Sequence, residues 1–326
     1  MQAFPVEYSS LSASALLQFI IEQYSLDSTS SIVFLKRGFN DTYLIISGAE
    51  KFVCRVYKHT WRSLESIENE LDLLLYLKQN NVSVSTPIQS SSKKWIHEIY
   101  APEGLRYAVL FTYAQGQRVR KLSVDQSFLL GVATAMLHVL TKNKRIDATA
   151  QDYSIAGQFK HTLKVVEPIL ANHPKQFQFL LQLEKLFLEE FSKINKEELV
   201  EGICHGDLQA ENFHIDKDNQ FTFFDFDFFG KGYLIYDIGV FMWYDHKNKP
   251  PEIMNAFLKG YESVRPLTLT EHKMIPWLSI IRALFQMTLY CKISDGKQLP
   301  LWPSAEVAMF LDKVEKWNRE KCDIKK

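Results

Sequence analysis

The sequence predicts an α+β chain of two lobes, a small antiparallel-sheet lobe followed by a larger, mainly helical one. Three observations predict it. Short runs of strand-like residues are confined to the first third, apolar residues recur with helical period through the remainder, and the change falls near Phe111–Gly116. At 326 residues the chain exceeds one average domain, and its 46% apolar and 23% charged composition is that of an ordinary globular protein. The lobes are drawn over residues 1–112 and 113–326, with a shared cleft.

Leu16, Leu17, Phe19, Ile20 and Tyr24 are spaced as on one helix face, so Leu11–Tyr24 is predicted to be helical, with serines in front to cap it. Three short strands follow, Ser31–Lys36, Thr42–Ser47 and Lys51–Lys58, parted by the turn residues Gly38, Asn40, Asp41, Gly48 and Ala49. Leu64, Ile67, Leu71, Leu74, Leu75 and Leu77 make Trp61–Gln79 a helix that Asn80, Asn81 and Pro87 end. Two further strands, Trp95–Tyr100 and Tyr107–Thr112, flank the turn Ala101–Gly104. Beyond Gly116 the helix-like segments are Ser123–Leu140, Gln176–Ser192, Tyr233–Asp245, Pro251–Tyr261, Thr270–Ile293 and Ser304–Trp317, broken by a β-like patch around Asn212–Asp225.

The formal net charge is +0, so there is no excess of Lys and Arg to neutralise a run of phosphates, and no nucleic-acid partner is expected. Cys54, Cys204, Cys291 and Cys322 lie far apart, without the CxxC pairing of zinc or dithiol sites, and read as reduced, mostly buried thiols. Met1–Ser10 has neither the basic start nor the apolar run of a signal peptide. The apolar stretch Ile275–Ile293 is interrupted by Arg282 and Gln286 and carries Pro276 near its start, which suits a core helix better than a membrane span. The expectation is a cytoplasmic protein with no membrane partner.

One constellation points to chemistry. Cys204-His205-Gly206-Asp207-Leu208-Gln209-Ala210-Glu211-Asn212 is followed by an apolar run ending in Asp225-Phe226-Asp227. Phosphoryl transfer needs a carboxylate to orient and deprotonate the attacking hydroxyl, and oxygen ligands for the magnesium that bridges nucleotide phosphates. Asp207, then Asn212 five positions on, then Asp225 at the end of a strand, supplies those parts in that order. Each residue alone has a plainer account: Asp207 and Asn212 could cap turns, Asp225 could end a strand, and His205 could be a core imidazole.

Taken together, the run resembles the catalytic and metal-binding segments of the aminoglycoside phosphotransferase, choline kinase and type II homoserine kinase superfamily, whose fold is protein-kinase-like. The resemblance covers most of the chain, with gaps in the middle helices. It implies an ATP-dependent phosphotransferase acting on a hydroxyl, with Asp207 as catalytic base, His205 and Asp237 in the catalytic group, and Asn212 and Asp225 holding magnesium. Tyr236-Asp237-Ile238-Gly239 resembles the segment whose Asp supports the catalytic loop. Phe52–Tyr57 resembles the third strand, with Arg55 where protein kinases usually carry Lys, and its implied partner is Glu70. The segment Arg37-Gly38-Phe39-Asn40-Asp41-Thr42-Tyr43 takes the place of a phosphate-covering hairpin turn, so Gly38 and Asn40 join the nucleotide set, as do Phe111 and Tyr113 from the segment resembling the hinge.

The acceptor is less legible. After Tyr244 the chain has more Lys and Arg than Asp and Glu, which disfavours a strongly cationic antibiotic. Trp243, Tyr244, Trp277 and Tyr290 could line an aromatic cage, although aromatics on helices are more often core. The expected partner is a small-molecule hydroxyl acceptor. Two alternatives stay open at this point: a Ser/Thr protein kinase of the stress-response type, and a nucleotide-binding module without catalysis, motivated by Arg55 and the glycine-poor turn.

Overall fold

The computed structural model describes residues 4–146, 151–153, 155–244, 250–294 and 304–321. They fall into two compact units, Met1–Arg118 with Phe213–Phe224, and Val119–Asn212 with Asp225–Lys326.

In the first unit Ser12 caps α1 (Ala13–Tyr24), its hydroxyl accepting from the Ala15 N–H at 3.3 Å, one of the helix-start donors that have no partner inside the helix. Strands β1 (Ser31–Arg37), β2 (Asn40–Ser47), β3 (Glu50–Tyr57), β4 (His97–Ala101) and β5 (Gly104–Thr112) form one antiparallel sheet in the order β1-β2-β3-β5-β4. Successive strand side chains point to opposite faces. Tyr43 and Ile45, Cys54 and Val56, and Ala108 and Leu110 therefore meet Leu16 and Ile20 of α1 in one core, and the same alternation sends Arg55 to the other face. Helix α2 (Leu64–Gln79) follows β3 and precedes β4 in the chain, capped by Ser63, whose hydroxyl takes the Ser66 N–H at 3.1 Å.

Arg106 of β5 is 1% exposed and is the largest fully buried side chain in the described residues. It bonds Asp41, Glu103 and the Ser9 carbonyl. Burial raises the Glu103 carboxyl, but hydrogen bonds from Ser9 and Arg106 outweigh it and hold the group at about 2, below its ordinary 4.5. A depressed carboxyl contributes stability above its unfolded value and loses it as pH falls through the folded one. The melting temperature is thus expected to drop between about pH 4.5 and 2, and Glu103→Gln should flatten that part of the profile. Superimposable acid limbs for variant and wild type would contradict this.

The second unit contains α3 (Val124–Thr141), β6 (Gln151–Asp152), α4 (Ile155–Val166), α5 (Pro174–Ser192) and β7 (Glu201–Cys204). The hairpin β8 (Phe213–Ile215) and β9 (Phe221–Phe223) groups with the first unit. The second then resumes with β10 (Gly230–Tyr233), α6 (Ile235–Trp243), α7 (Pro251–Glu262), α8 (Leu269–Ser294) and α9 (Ser304–Lys321). β6, β10 and β7 form a three-stranded sheet. Helices α3 and α7 cross backbone to backbone: a Cβ on Gly131 would lie 2.1 Å from the Phe257 carbonyl oxygen, and one on Gly260 1.9 Å from that of Phe128. By length and composition Val124–Thr141 and Leu269–Cys291 could cross a membrane; 78% of the second is buried inside the fold, as a core helix is.

Helix α4 and strands β6, β7 and β10 have no counterpart in the sequence reading. The strands span two to four residues, too few to display a period of two, and β10 has glycine at two of its four positions. In α4 a glycine and β-branched residues dilute helix propensity that tertiary packing restores. Cys54, Cys204 and Cys291 are buried thiols without disulfides; Cys322 and Asp245 lie outside the described residues.

Candidate active site

Strand β7 ends at Cys204, and the loop His205–Asn212 leaves it through a sharp bend at Gly206. Gly206 has φ +82°, and a Cβ there would sit 2.0 Å from the Phe228 carbonyl oxygen, so the position admits only glycine. The bend is anchored from α6 by Asp237, which is fully buried. One carboxylate oxygen takes the His205 N–H at 2.8 Å and faces His138 Nε2 at 3.0 Å, and the other takes the Gly206 N–H at 2.8 Å. Burial pushes this carboxyl up, but the His138 hydrogen bond, the imidazoles of His138 and His205 beside it and the Gly206 N–H outweigh burial and hold it below the usual carboxylate value. Behind it, His138 Nδ1 meets the Tyr261 hydroxyl at 2.8 Å, and that hydroxyl accepts from Arg265 at 3.2 Å. A buried polar chain thus fixes the loop from below.

Asp207, 7% exposed, has donors on both carboxylate oxygens. Oδ1 receives the Arg282 guanidinium at 2.5 Å and the Tyr244 hydroxyl at 3.2 Å. Oδ2 receives the side-chain amides of Asn212 at 2.6 Å and Gln209 at 2.8 Å. The Asn212 amide also donates to the Asp207 carbonyl at 2.9 Å. Both hydrogens of that amide are therefore spent on Asp207, which leaves its oxygen as the end able to face a cation.

Arg282 comes from the middle of α8 and is 2% exposed. It bonds Asp207, the Tyr244 hydroxyl and, at 3.4 Å, the Gly206 carbonyl, with its guanidinium 5.2 Å from the Tyr244 ring and 5.3 Å from Phe285. Burial works against its charge, but the groups packed on it, the Asp207 carboxylate among them, outweigh burial and hold it well above the ordinary arginine value. Burial likewise pushes the Tyr244 phenol up, so that hydroxyl stays neutral and can donate.

His205 precedes the bend at Gly206. It is 1% exposed, its ring packs 4.3 Å from that of Phe226, and its Nδ1 takes the Asp207 N–H at 3.3 Å. Asp225 follows β9 in the left-handed region, φ 63° and ψ 57°, at the start of a 3-10 turn over Phe226–Phe228. Aspartate tolerates that conformation better than most side chains.

In the first unit Arg55 and Glu70 form an ion pair, Nη1 to Oε1 at 3.1 Å. The other Glu70 oxygen takes Arg62 at 3.0 Å and the Tyr57 hydroxyl at 3.2 Å. The glutamate thus bridges two arginines. The turn Gly38–Phe39 joins β1 to β2, and a Cβ on Gly38 would meet nothing within 4 Å. Asn40 is buried, its side-chain oxygen accepting from the Lys58 N–H at 3.3 Å, so that oxygen braces β2 against the end of β3. Phe111 is buried beneath Arg55, 5.4 Å from ring to guanidinium. Thr112, Tyr113 and Gly116 line a cavity of 520 Å³ with Lys51, whose ammonium lies 5.5 Å from the Tyr113 ring.

The structure thus joins Asp207 to Asn212, Asp237 to the loop at His205 and Gly206, and Arg55 to Glu70. It adds Arg282, Gln209 and His138, to which the sequence reading gave no role in the site, and it puts the hydroxyl of Tyr244, a cage candidate in that reading, on Asp207. Arg282 and His138 had a signal, each being a basic residue inside an apolar helical stretch, where burial without a counter-charge or hydrogen bond is too costly to persist.

Residues 31–274, more than half the chain, match the family model described as the phosphotransferase enzyme family. An uncharacterized protein of Synechocystis sp. is 30% identical over 302 residues, 91% of this chain and 84% of that one. A homoserine kinase of Methylobacillus glycogenes is 23% identical over 265 residues, 78% of each chain. Among solved structures, an amicoumacin kinase in complex with AMP-PNP, Ca2+ and Ami aligns with a TM-score of 0.73 at 22% identity, covering 93% of both chains. That likeness establishes the protein-kinase-like α+β fold, with a small antiparallel-sheet lobe and a larger helical one. The chain belongs to the phosphotransferase enzyme family.

Proposed function

We propose that the protein is an ATP-dependent kinase that moves the γ-phosphate to a hydroxyl of a small molecule. The observation that carries this reading is the Asp207 carboxylate, fixed from both sides by Arg282 and Asn212 and covered by two partly exposed donors, Gln209 and Tyr244. An acceptor hydroxyl replaces one of these two donors. Its oxygen then attacks the γ-phosphorus, its proton passes to Asp207, the bond from the γ-phosphorus to the bridging oxygen breaks, and ADP leaves. Asp237 and His205 act by holding the loop in shape. Arg55, kept in place by Glu70, meets the nucleotide phosphates. The segment from Phe111 to Tyr113 meets the adenine edge, and Gly38 leaves room for phosphate at the turn.

The donor set fits magnesium. The oxygen of Asn212 is turned away from its spent amide, and Asp225 supplies a carboxylate. Among the described residues no group of three or more His, Cys, Asp or Glu forms a metal cluster. Magnesium on a nucleotide needs none, because it takes one or two carboxylates plus phosphate oxygens and keeps several waters. When bound, it neutralises charge that develops on the transferred phosphate. Asp225→Ala should abolish the dependence of AMP-PNP affinity on magnesium while leaving the metal-independent part. A variant that responds to magnesium as the wild type does would remove Asp225 from the ligand set.

The related homoserine kinase and amicoumacin kinase are named for acceptors that are small molecules. The direct test is ATP-dependent phosphate transfer to a panel of amino alcohols, aminoglycosides and macrolides, with a generic protein acceptor in parallel. Transfer to protein alone would overturn the small-molecule reading.

A further inference from the structure

We infer that the segment Tyr8–Ser10 is a positioning element for the nucleotide turn at Gly38–Asn40 and sets the affinity for ATP; this rests on reading that turn as a nucleotide contact. The turn has contacts of its own. One backbone bond, Gly38 N–H to the Asn40 carbonyl at 3.1 Å, closes it, and Phe39 stacks on Trp61 at 4.6 Å.

What frames the turn is a ring of charged residues, and each of them touches the segment before α1. Arg37, the last residue of β1, faces Asp41 of β2 across the strands, and their side chains pair at 3.3 Å. The Arg37 guanidinium lies 4.6 Å from the Tyr8 ring and donates to the Ser10 hydroxyl at 2.5 Å. Asp41 accepts from the Tyr8 hydroxyl and, at 3.2 Å, from Arg106. Arg106 lies 4.4 Å from the same Tyr8 ring and donates to the Ser9 carbonyl at 2.8 Å, while the Ser9 hydroxyl donates to Glu103 at 2.7 Å. Lys58, whose N–H holds the Asn40 side chain, places its ammonium 5.5 Å from the Tyr8 ring.

One aromatic ring therefore meets three cations, and its hydroxyl meets the carboxylate that pairs with two of them. A tyrosine suits this place because its face attracts cations while its hydroxyl donates to an anion. Without the ring, Arg37, Arg106 and Lys58 lose the face they share, and the two arginines are left to their carboxylates, Asp41 and Glu103. The base of the turn then widens and its backbone shifts relative to the phosphates. The linkage runs both ways, so bound nucleotide steadies the segment in turn.

The experiment compares the wild type with Tyr8→Leu, Tyr8→Phe and Gly38→Asp in the full chain, reading Kd for AMP-PNP with magnesium by calorimetry and melting temperature in parallel. Tyr8→Leu is expected to weaken AMP-PNP by about tenfold, within the ~5–150-fold span of typical coupling between sites. Tyr8→Phe keeps the ring and should recover most of that loss. Gly38→Asp places a carboxylate at the turn and should weaken binding at least as much. If Gly38→Asp weakens binding and Tyr8→Leu does not, the positioning role is overturned while the turn keeps its assignment. A Tyr8→Leu variant that melts earlier with unchanged Kd has the same meaning. If Gly38→Asp binds normally, the turn is not a nucleotide contact and the inference falls with it.

Discussion

Asp207→Asn should lower turnover by about 10²–10⁴-fold, the usual contribution of a general base. The substitution is nearly isosteric, yet it is not structurally silent here. One oxygen that accepts two hydrogen bonds becomes an amide nitrogen, which then faces donors from Arg282 and Tyr244 or from Asn212 and Gln209. It also removes the counter-charge of an arginine whose side chain is 3% exposed. Breaking a buried pair by deleting one partner typically costs about 3–5 kcal/mol, because the remaining charge stays desolvated. The variant should therefore melt earlier than the wild type, and turnover has to be measured well below its transition, with AMP-PNP affinity as the check that the fold persists. Near-normal turnover under those conditions would remove Asp207 from the mechanism.

Arg282→Met is expected to be comparably damaging by the converse route. Methionine fills much of the volume, but Asp207 is left buried with only neutral donors, so a loss of about 3–5 kcal/mol is again expected. Turnover should fall as well, since nothing rigid then holds Oδ1. Arg282→Lys keeps the charge and loses the fork that reaches Asp207, Tyr244 and the Gly206 carbonyl together, so its recovery should be partial. The double variant Asp207→Asn/Arg282→Met is the sharper measurement. If the two groups matter to each other as a buried pair, it should be more stable than the sum of the single losses allows, while staying inactive. Additive losses would mean that the two charges are not coupled.

The candidate site was legible where its parts are adjacent in sequence. Asp207 and Asn212 stand five residues apart on one loop, Asp225 ends the next hairpin, and the order of residue types matched what phosphoryl transfer requires. Arg55 and Glu70 were legible as well, one on a strand of fixed face and the other on the helix that follows it. His205 reads from sequence as part of the catalytic group, and the structure buries its ring against Phe226. Asn40 joins the nucleotide set from the sequence, and the structure adds that its side-chain oxygen accepts from the Lys58 N–H. In both cases the side chain's direction depends on packing that spacing does not reveal.

By itself the sequence determined the α+β class, the strand-rich and helical regions, and the loop that carries Asp207, because these follow from local periodicity and short-range turn chemistry. Only the tertiary structure decided what surrounds the carboxylate. Arg282 is separated from Asp207 by 75 residues, His138 from Asp237 by 99, and Arg106 from Ser9 by 97. Buried charges choose partners by which groups lose water together, and that is settled when helices and strands pack, not by their spacing along the chain.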